Sequence, residues 1–554
     1  MNVAGVGSIS SLTPSCQLLG VSVGNPTSLR NPLKLHGRAF YESIGSPKFV
    51  LAPMVDQSEF AWRLLTRSFL SSPSSSSLLT YTPMLHARLF AETPKFRDAH
   101  FQPIRTSLTS HSLLPNAESY LDGNPKLDRP LFVQFCANKP SELLAAAKYV
   151  SPYCDAIDLN LGCPQGIAKK GKYGAFLQED QELIFSLINI LHEKLDIPVT
   201  AKIRILDTKE KTLAYAQNVL KAGASIITVH GRTREMKGHK TGLADWSVIR
   251  YLRENLPSDT VLFANGNILK NEDIAICLEA TGADAVMSAE GNLYDPAIFA
   301  SPPNIGEEER EYWRGKDGLG GWRVDAIFRR YMDIIYKYVL EVSPPERKPL
   351  YLPSDSESDI QVGGTKNGKR LKDVDSEEPD REKKKRKIGK AEKSTNPNLL
   401  AMQPHLFHLL RALVSRHHHV RDALARCKAG DIVSFEHVLQ MVENEVKDGL
   451  KQYEETQSKS WIEELEQDKR LKPDYSLSKT QEKYEGSAME KKGRNDQVEG
   501  NKLKNHEDSS VETVRACKRP WWVAQPYVRP LPKEALANGS WALSKREMKA
   551  AAHL

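Results

Sequence analysis

Between residues 48 and 300 the chain alternates short runs of consecutive apolar residues with longer stretches whose apolar positions recur every three or four residues. The short runs are FVLAPM (49–54), LLTYTPM (78–84), LFVQFC (131–136), AIDLNLGC (156–163), VTAKIRI (199–205), IITVHGR (226–232), VLFANGNI (261–268) and AVMSAEGN (285–292). They are continuous rather than alternating, the pattern of strands covered on both faces. SELLAAAKYV (141–150), DQELIFSLINILHEKL (180–195) and KTLAYAQNVLKAGA (211–224) lie between them and read as amphipathic helices. Strand then helix, eight times over, predicts an α/β chain with a (β/α)8 TIM barrel across 48–310. An open doubly wound sheet is the competing architecture, but its usual GxGxxG after the first strand is missing.

Outside the barrel the pattern changes. Residues 1–47, rich in Ser, Leu, Gly and Asn, are expected to be disordered or transit-like. A helical connection is predicted over 311–352, carried by WRVDAIFRRYMDIIYKYVLEVS (322–343). Residues 353–398 form a charged, almost apolar-free linker expected to be disordered. Helical periodicity over 403–450 predicts a smaller all-helical domain at 399–455. A polar segment (456–515) and a tail (516–554) follow. The tail carries RPWWVAQPYVRP (519–530), aromatic enough to dock on the folded part. SSPSSSS (71–77) and the polar stretch 105–129 read as surface loops.

Composition narrows the partners. The chain has 77 Lys and Arg against 70 Asp and Glu, a formal net charge of +7, which permits a polyanionic partner without requiring one. The 7 cysteines are scattered and odd in number, which argues against a disulfide framework and against a metal site. No apolar run reaches the roughly 18 residues of a membrane span, and a monomer is expected. The first 41 residues hold no Asp or Glu, like an organelle transit peptide, whereas KKKRK (383–387) reads as a nuclear address. The expectation is cytoplasm and/or nucleus, with plastid or mitochondrion as the alternative.

In a barrel of this kind, chemistry sits at the carboxyl ends of the strands. Strand one delivers Pro53, Met54 and Val55, strand three Gln134, and strand four Asn160 and Cys163. Strand five carries Lys202 and Arg204, and strand six His230 and Arg232. Asn265, Gly266 and Asn267 end strand seven, and Ala289 and Glu290 end strand eight. The set holds no paired carboxylates for acid–base work. It is rich in donors, which suit a planar, carbonyl-bearing ligand with a phosphate, and FMN fits. Lys202 then faces the electron-rich edge of the ring, and the glycines let backbone N–H groups approach the phosphate.

LAPMVDQSEFAWR, DLNLGCPQGIAKKGKYGAFLQED, AKIRI, VHGRTREMKG, FANGNI and VMSAEGNLYDPAIF together resemble the tRNA-dihydrouridine synthase family, in its eukaryotic branch acting at positions 16 and 17 of the D-loop. The resemblance covers roughly 48–300, and the helical part and the aromatic tail are similar to that branch too. It implies an FMN enzyme that reduces the C5–C6 bond of a uracil in tRNA with NADPH, or NADH, as reductant. Pro53, Met54, Val55, Gln134, Lys202, His230, Asn265, Gly266, Asn267, Ala289 and Glu290 are then cofactor residues. Asn160, Arg204 and Arg232 are then substrate residues, and Cys163 is the general acid that protonates C5. The family often has Gly-Arg where this chain has Ala289-Glu290, so backbone contact to a phosphate carries over and a side-chain contact does not.

A base inside folded tRNA must be swung out to reach such a rim. Lys169, Lys170, Lys172, Arg232, Arg234, Lys237 and Lys240 are the candidate phosphate contacts near the rim. Arg411, Arg416, Arg421, Arg426 and His417–His419 are those of the helical domain, where the three adjacent histidines are expected to point apart. A free-pyrimidine FMN oxidoreductase of the dihydroorotate or dihydropyrimidine dehydrogenase kind, and a non-catalytic RNA-binding protein, are the alternative functions.

Overall fold

The computed structural model describes residues 34–70, 77–108, 118–355, 394–460 and 519–527. KKKRK, most of the N-terminal segment, nearly all of both polar segments, the serine-rich run apart from Ser77, and the end of the tail lie outside these residues.

The eight apolar runs are the eight strands of a closed parallel barrel: β1 (Phe49–Leu51), β2 (Leu78–Tyr81), β3 (Leu131–Cys136), β4 (Ala156–Leu161), β5 (Val199–Arg204), β6 (Ile226–His230), β7 (Val261–Asn265) and β8 (Ala285–Ser288). Neighbours in sequence pair in parallel around the ring. Phe49 opposite both Leu78 and Val286 closes it, and a two-residue strand, Leu85–His86, extends the edge of β3. Helices return the chain on the outside, and side-chain caps mark where they begin. Asp180 accepts from the N–H of Leu183, Thr208 from that of Lys211, and Asp245 from those of Ser247 and Val248, each satisfying donors that a first helical turn leaves open.

The N-terminal segment is not featureless up to residue 47. Gly37–Ser43 forms helix α1, which plugs the barrel floor. Phe40 and Tyr41 are buried among the inward-facing residues Val50, Tyr81, Phe132, Phe263 and Met287, while Arg38 bonds Asp284 at 2.6 Å just before β8. The folded body therefore begins before residue 48. The polar stretch 105–129 is also only partly a surface loop. Its described end buries Asp122 and Asp128 against the guanidinium of Arg63, at 2.7 and 2.5 Å, because a buried guanidinium needs carboxylates. Arg63 lies on α2 (Phe60–Arg67).

The helical part is docked on the barrel rather than standing apart. Helix α3 (Val324–Ile334), continued by one π-helical turn over Ile335–Val339, and α4 (Pro397–Leu409) share one continuous apolar core with α2. Two further helices, α5 (His418–Arg426) and α6 (Ile432–Glu455), complete the bundle. The tail docks as the sequence predicts: Val324 donates to the Trp522 carbonyl at 3.0 Å and Ala524 to that of Trp322 at 2.8 Å. Gly449 makes room for it, since a Cβ there would stand 2.6 Å from the Trp521 ring. Among the described residues no helix is long and apolar enough to cross a membrane.

Candidate active site

The loop after β4 is held from several sides. Asn160 Oδ1 accepts from the N–H of Gly162 at 3.2 Å and of Cys163 at 2.9 Å. Arg204 Nε donates to the Gly162 carbonyl, Lys237 Nζ to that of Pro164 and Ala175 N–H to that of Cys163, at 2.8, 2.6 and 3.1 Å. Gly174 lies flush against the turn at φ +65°, where a Cβ would come 2.8 Å from the Cys163 carbonyl oxygen. The glycine of the GAFL run is thus a packing partner of the cysteine eleven positions earlier. Cys163 itself is half-buried, the only one of the five described cysteines that is not buried.

Beside this turn opens a cavity of about 290 Å³, lined by Pro164, Arg204, His230, Arg232, the 265–269 loop and the chain from Ala289 to Gly291, among others. That is close to the lower end of small-molecule sites, roughly 300 Å³. Two backbone features shape its wall. Gly266 at φ +114° could not carry a Cβ, which would meet Ala244 at 2.6 Å, and Gly291 sits 2.3 Å, by the same measure, from the Ile268 carbonyl. The Asn-Gly-Asn run is therefore a tight turn that needs glycine at 266, with Asn267 also left-handed, at φ +63°.

Charge around the cavity is arranged by burial. Lys202 Nζ donates to Asn265 Oδ1 at 2.9 Å. Burial, with the neighbouring Arg204, pushes its ammonium down to about 7. Arg232 donates through Nε to the Gly242 carbonyl at 2.7 Å and through a terminal nitrogen to Asn267 Oδ1 at 2.6 Å. Its other terminal nitrogen lies 3.0 Å from His230 Nε2. A guanidinium only donates, so His230 Nε2 accepts and the ring is neutral with its proton on Nδ1. The histidine is held well below its ordinary range by burial and then by Lys202, Arg204 and Arg232.

The structure brings the predicted residues together in two groups. His230, Arg232, Asn265, Gly266, Asn267, Ala289 and Glu290 line the cavity. Gln134, Asn160, Cys163 and Lys202 stand on the adjoining strands β3 to β5 or, for the cysteine, just past β4. Pro53, Met54 and Val55 follow β1 outside the cavity lining, with Val55 54% exposed. Arg204 and Asn160 were expected to present donors to a base. Arg204 lines the cavity, yet its guanidinium is bonded to the carbonyls of Gly162, Thr233 and Met236, and the Asn160 amide is engaged at both ends.

Two buried groups escaped the sequence reading. Asp158 accepts from Gln134 Nε2 at 2.8 Å and from Thr200 Oγ1 at 2.6 Å. Its place two residues before Asn160, on the same face of the strand, was the signal available. Glu59 pairs with His405, which no local pattern reveals.

Among the basic candidates, Lys169, Lys170 and Lys172 are exposed at the rim. Arg234 is turned to Glu179 at 2.6 Å and to the Ala175 carbonyl. The three histidines do not all diverge. His417 precedes α5 rather than lying in it, and with His419 it converges on Glu445, at 2.8 and 3.0 Å.

A closed parallel barrel that gathers a lysine, a neutral histidine, amides and a rigid thiol turn at its strand ends is a TIM-barrel protein with a candidate active site at its mouth. The chain belongs to the dihydrouridine synthase family, whose model, described as "Dihydrouridine synthase (Dus)", matches residues 50–319. It is 39% identical over 499 residues to the tRNA-dihydrouridine(16/17) synthase [NAD(P)(+)] of Schizosaccharomyces pombe, covering 90% of this chain and 92% of that one. To the Saccharomyces cerevisiae protein of the same name it is 55% identical over 302 residues, 54% of this chain and 63% of that one. The tRNA-dihydrouridine(16/17) synthase [NAD(P)(+)]-like protein of Rattus norvegicus is 46% identical over 281 residues, 50% of this chain and 58% of its own.

Proposed function

We propose that this chain reduces the C5–C6 double bond of uracil at positions 16 and 17 of the tRNA D-loop, with FMN across the barrel mouth and NADPH, or NADH, as reductant. The relatives named above and the family match support the reaction. The residues present fit FMN. The cavity wall offers the neutral His230 and backbone amides at Gly266–Asn267 and Ala289–Gly291, and Lys202 stands behind it, bonded to the lining residue Asn265. Glu290, in place of a cationic side chain, leaves any phosphate there to backbone donors.

FMN when bound supplies the hydride that the uracil takes at C6. The chain's own part is the other half of the reduction. Cys163 gives a proton to C5, and its turn is built so that the sulfur is neither buried nor free to wander. A thiol held beside the base can release its proton to a carbon that gains negative charge, the part of a general acid. Lys202, bonded to the wall residue Asn265 at 2.9 Å, is the donor placed to stabilise negative charge on a planar ring. Lys169, Lys170 and Lys172 stand on the short helix Gly166–Gly171 and just past it, placed to meet phosphates around an extruded base.

The observation that carries this reading is the juxtaposition of the Cys163 turn with the donor-lined cavity. The test is to give the purified protein undermodified tRNA and NADPH and to map dihydrouridine by position. Dihydrouridine at 16 and 17, with free uridine left untouched, is expected. Reduction of free uridine but not of tRNA would point to the free-pyrimidine alternative, and no reduction with a colourless protein to the non-catalytic one.

A further inference from the structure

Asp158 is fully buried, takes no part in the chemistry above, and stands at the foot of a side-chain hydrogen-bond chain that ends on the thiol's own turn. Its Oδ2 accepts from Gln134 Nε2 at 2.8 Å. Gln134 Oε1 accepts from Asn160 Nδ2 at 2.8 Å. Asn160 Oδ1 accepts from the backbone N–H of Gly162 and Cys163. Each amide has a donor end and an acceptor end, so the way one faces dictates the way the next must face. At the upper end the two backbone N–H groups can only donate. At the lower end an ionised carboxylate can only accept. Both ends demand the same direction, and neither amide can turn over without setting two donors or two acceptors against each other. Burial raises the Asp158 carboxyl to about 6, so near pH 7 it is chiefly the carboxylate.

We propose that Asp158 is a positioning residue for Cys163: an acceptor-only group that fixes the orientation of Gln134, through it that of Asn160, and so the turn that carries the thiol. This rests on the role given to Cys163 above. It also gives a reason for an aspartate and an asparagine two residues apart on β4, since both then point to the same face of the strand.

The test is an exchange of the two residues, which keeps charge and shape: Asn160→Asp, Asp158→Asn, and both together. In Asn160→Asp the turn keeps its acceptor, but the second carboxylate oxygen now meets Gln134 Oε1. Gln134 must turn over, and its oxygen then faces the Asp158 carboxylate. Adding Asp158→Asn supplies the missing N–H, so the double exchange rebuilds the chain with Gln134 reversed. Two readouts are taken on the full-length protein. One is the rate at which iodoacetamide alkylates Cys163, followed by mass spectrometry of its peptide. The other is kcat and KM with tRNA.

Asn160→Asp is expected to change the alkylation rate by about 10-fold and to lower kcat by about 10- to 100-fold, the worth of a charged hydrogen bond, with KM within about 2-fold. The double exchange is expected to bring both readouts to within about 3-fold of wild type. If Asn160→Asp alone does not fold, recovery of folding by the double exchange supports the chain. A double variant no better than Asn160→Asp overturns the proposal. So does an Asn160→Asp protein whose KM rises while kcat holds, because Asn160 then touches the base directly. Alkylation needs no turnover. Rescue of its rate in proteins that form no dihydrouridine counts against the reaction and leaves the hydrogen-bond chain standing.

Discussion

Glu59 and His405, 346 residues apart, meet in a dry contact between the barrel and the helical domain, carboxylate to Nε2 at 3.0 Å. The His405 ring stacks on Trp62 with centroids 3.8 Å apart and planes 4° from parallel. Trp62 in turn donates through Nε1 to Asn292 at 2.8 Å, beside the Glu290–Gly291 segment that lines the cavity. The helical domain is thus tied to the wall of the candidate active site. His405→Ala leaves the Glu59 carboxylate buried without its imidazole and removes the stack. It is expected to cost about 3–5 kcal/mol in urea unfolding. The same substitution in a Glu59→Gln background should cost clearly less, and equal costs in both backgrounds would show that the pair is not coupled.

The floor plug makes a prediction about the N-terminus. Phe40 stacks on Phe132 with ring centroids 5.9 Å apart inside the barrel and is 4% exposed. Phe40→Ala should lower stability by about 3–5 kcal/mol. A chain beginning at residue 48 should be less stable still. Unchanged unfolding of either would mean the barrel floor closes without α1.

Gly174 bears on the thiol. With φ at +65° and a Cβ clash against Cys163 itself, Gly174→Ala should cost about 1–3 kcal/mol of stability. Because the atoms displaced belong to the Cys163 turn, turnover should fall further than stability predicts. Turnover that only tracks the folded fraction would count against that coupling.

Asp158 predicts a pH dependence. Its folded value, about 6, lies above the ordinary 3.8. Between pH 4 and 6 the folded state therefore holds a proton that the unfolded chain has released. Stability from this group falls as pH rises through that window, by about 3 kcal/mol in total. Asp158→Asn removes the slope. Its stability relative to wild type should rise from pH 4.5 to pH 7.5, and a difference between the two proteins that does not vary with pH would contradict this.

The rim lysines predict a salt dependence. Replacing Lys169, Lys170 and Lys172 by Glu should weaken tRNA binding and reduce the slope of log affinity against log salt by about 2–3. Flavin content should not change. A slope equal to wild type would place the phosphates elsewhere.

The barrel was legible because its strands are buried on both faces and so appear as unbroken apolar runs, from Phe49–Leu51 to Ala285–Ser288. The rim residues followed from position alone, since strand ends in this fold converge. Long-range polar pairing was hidden. Glu59 finds its partner across 346 positions, and Asp122 and Asp128 lie in a stretch polar enough to pass for a surface loop. The plug α1 was missed because seven residues carry too few turns to show a period. Asn160 and Arg204 were read as facing the base, and their bonds to Gln134, the Cys163 N–H and the carbonyls of Gly162 and Thr233 were hidden because a sequence does not show which neighbour a polar side chain meets.

The role proposed for Cys163 is to hand its proton to the reduced base. Its most direct test is a single turnover of Cys163→Ala, prereduced with NADPH and mixed with undermodified tRNA. The prediction is a protein with wild-type visible absorbance and wild-type tRNA affinity that forms dihydrouridine at least about 100-fold more slowly, the usual worth of a positioned general acid. Dihydrouridine formed at the wild-type rate in that variant would contradict it.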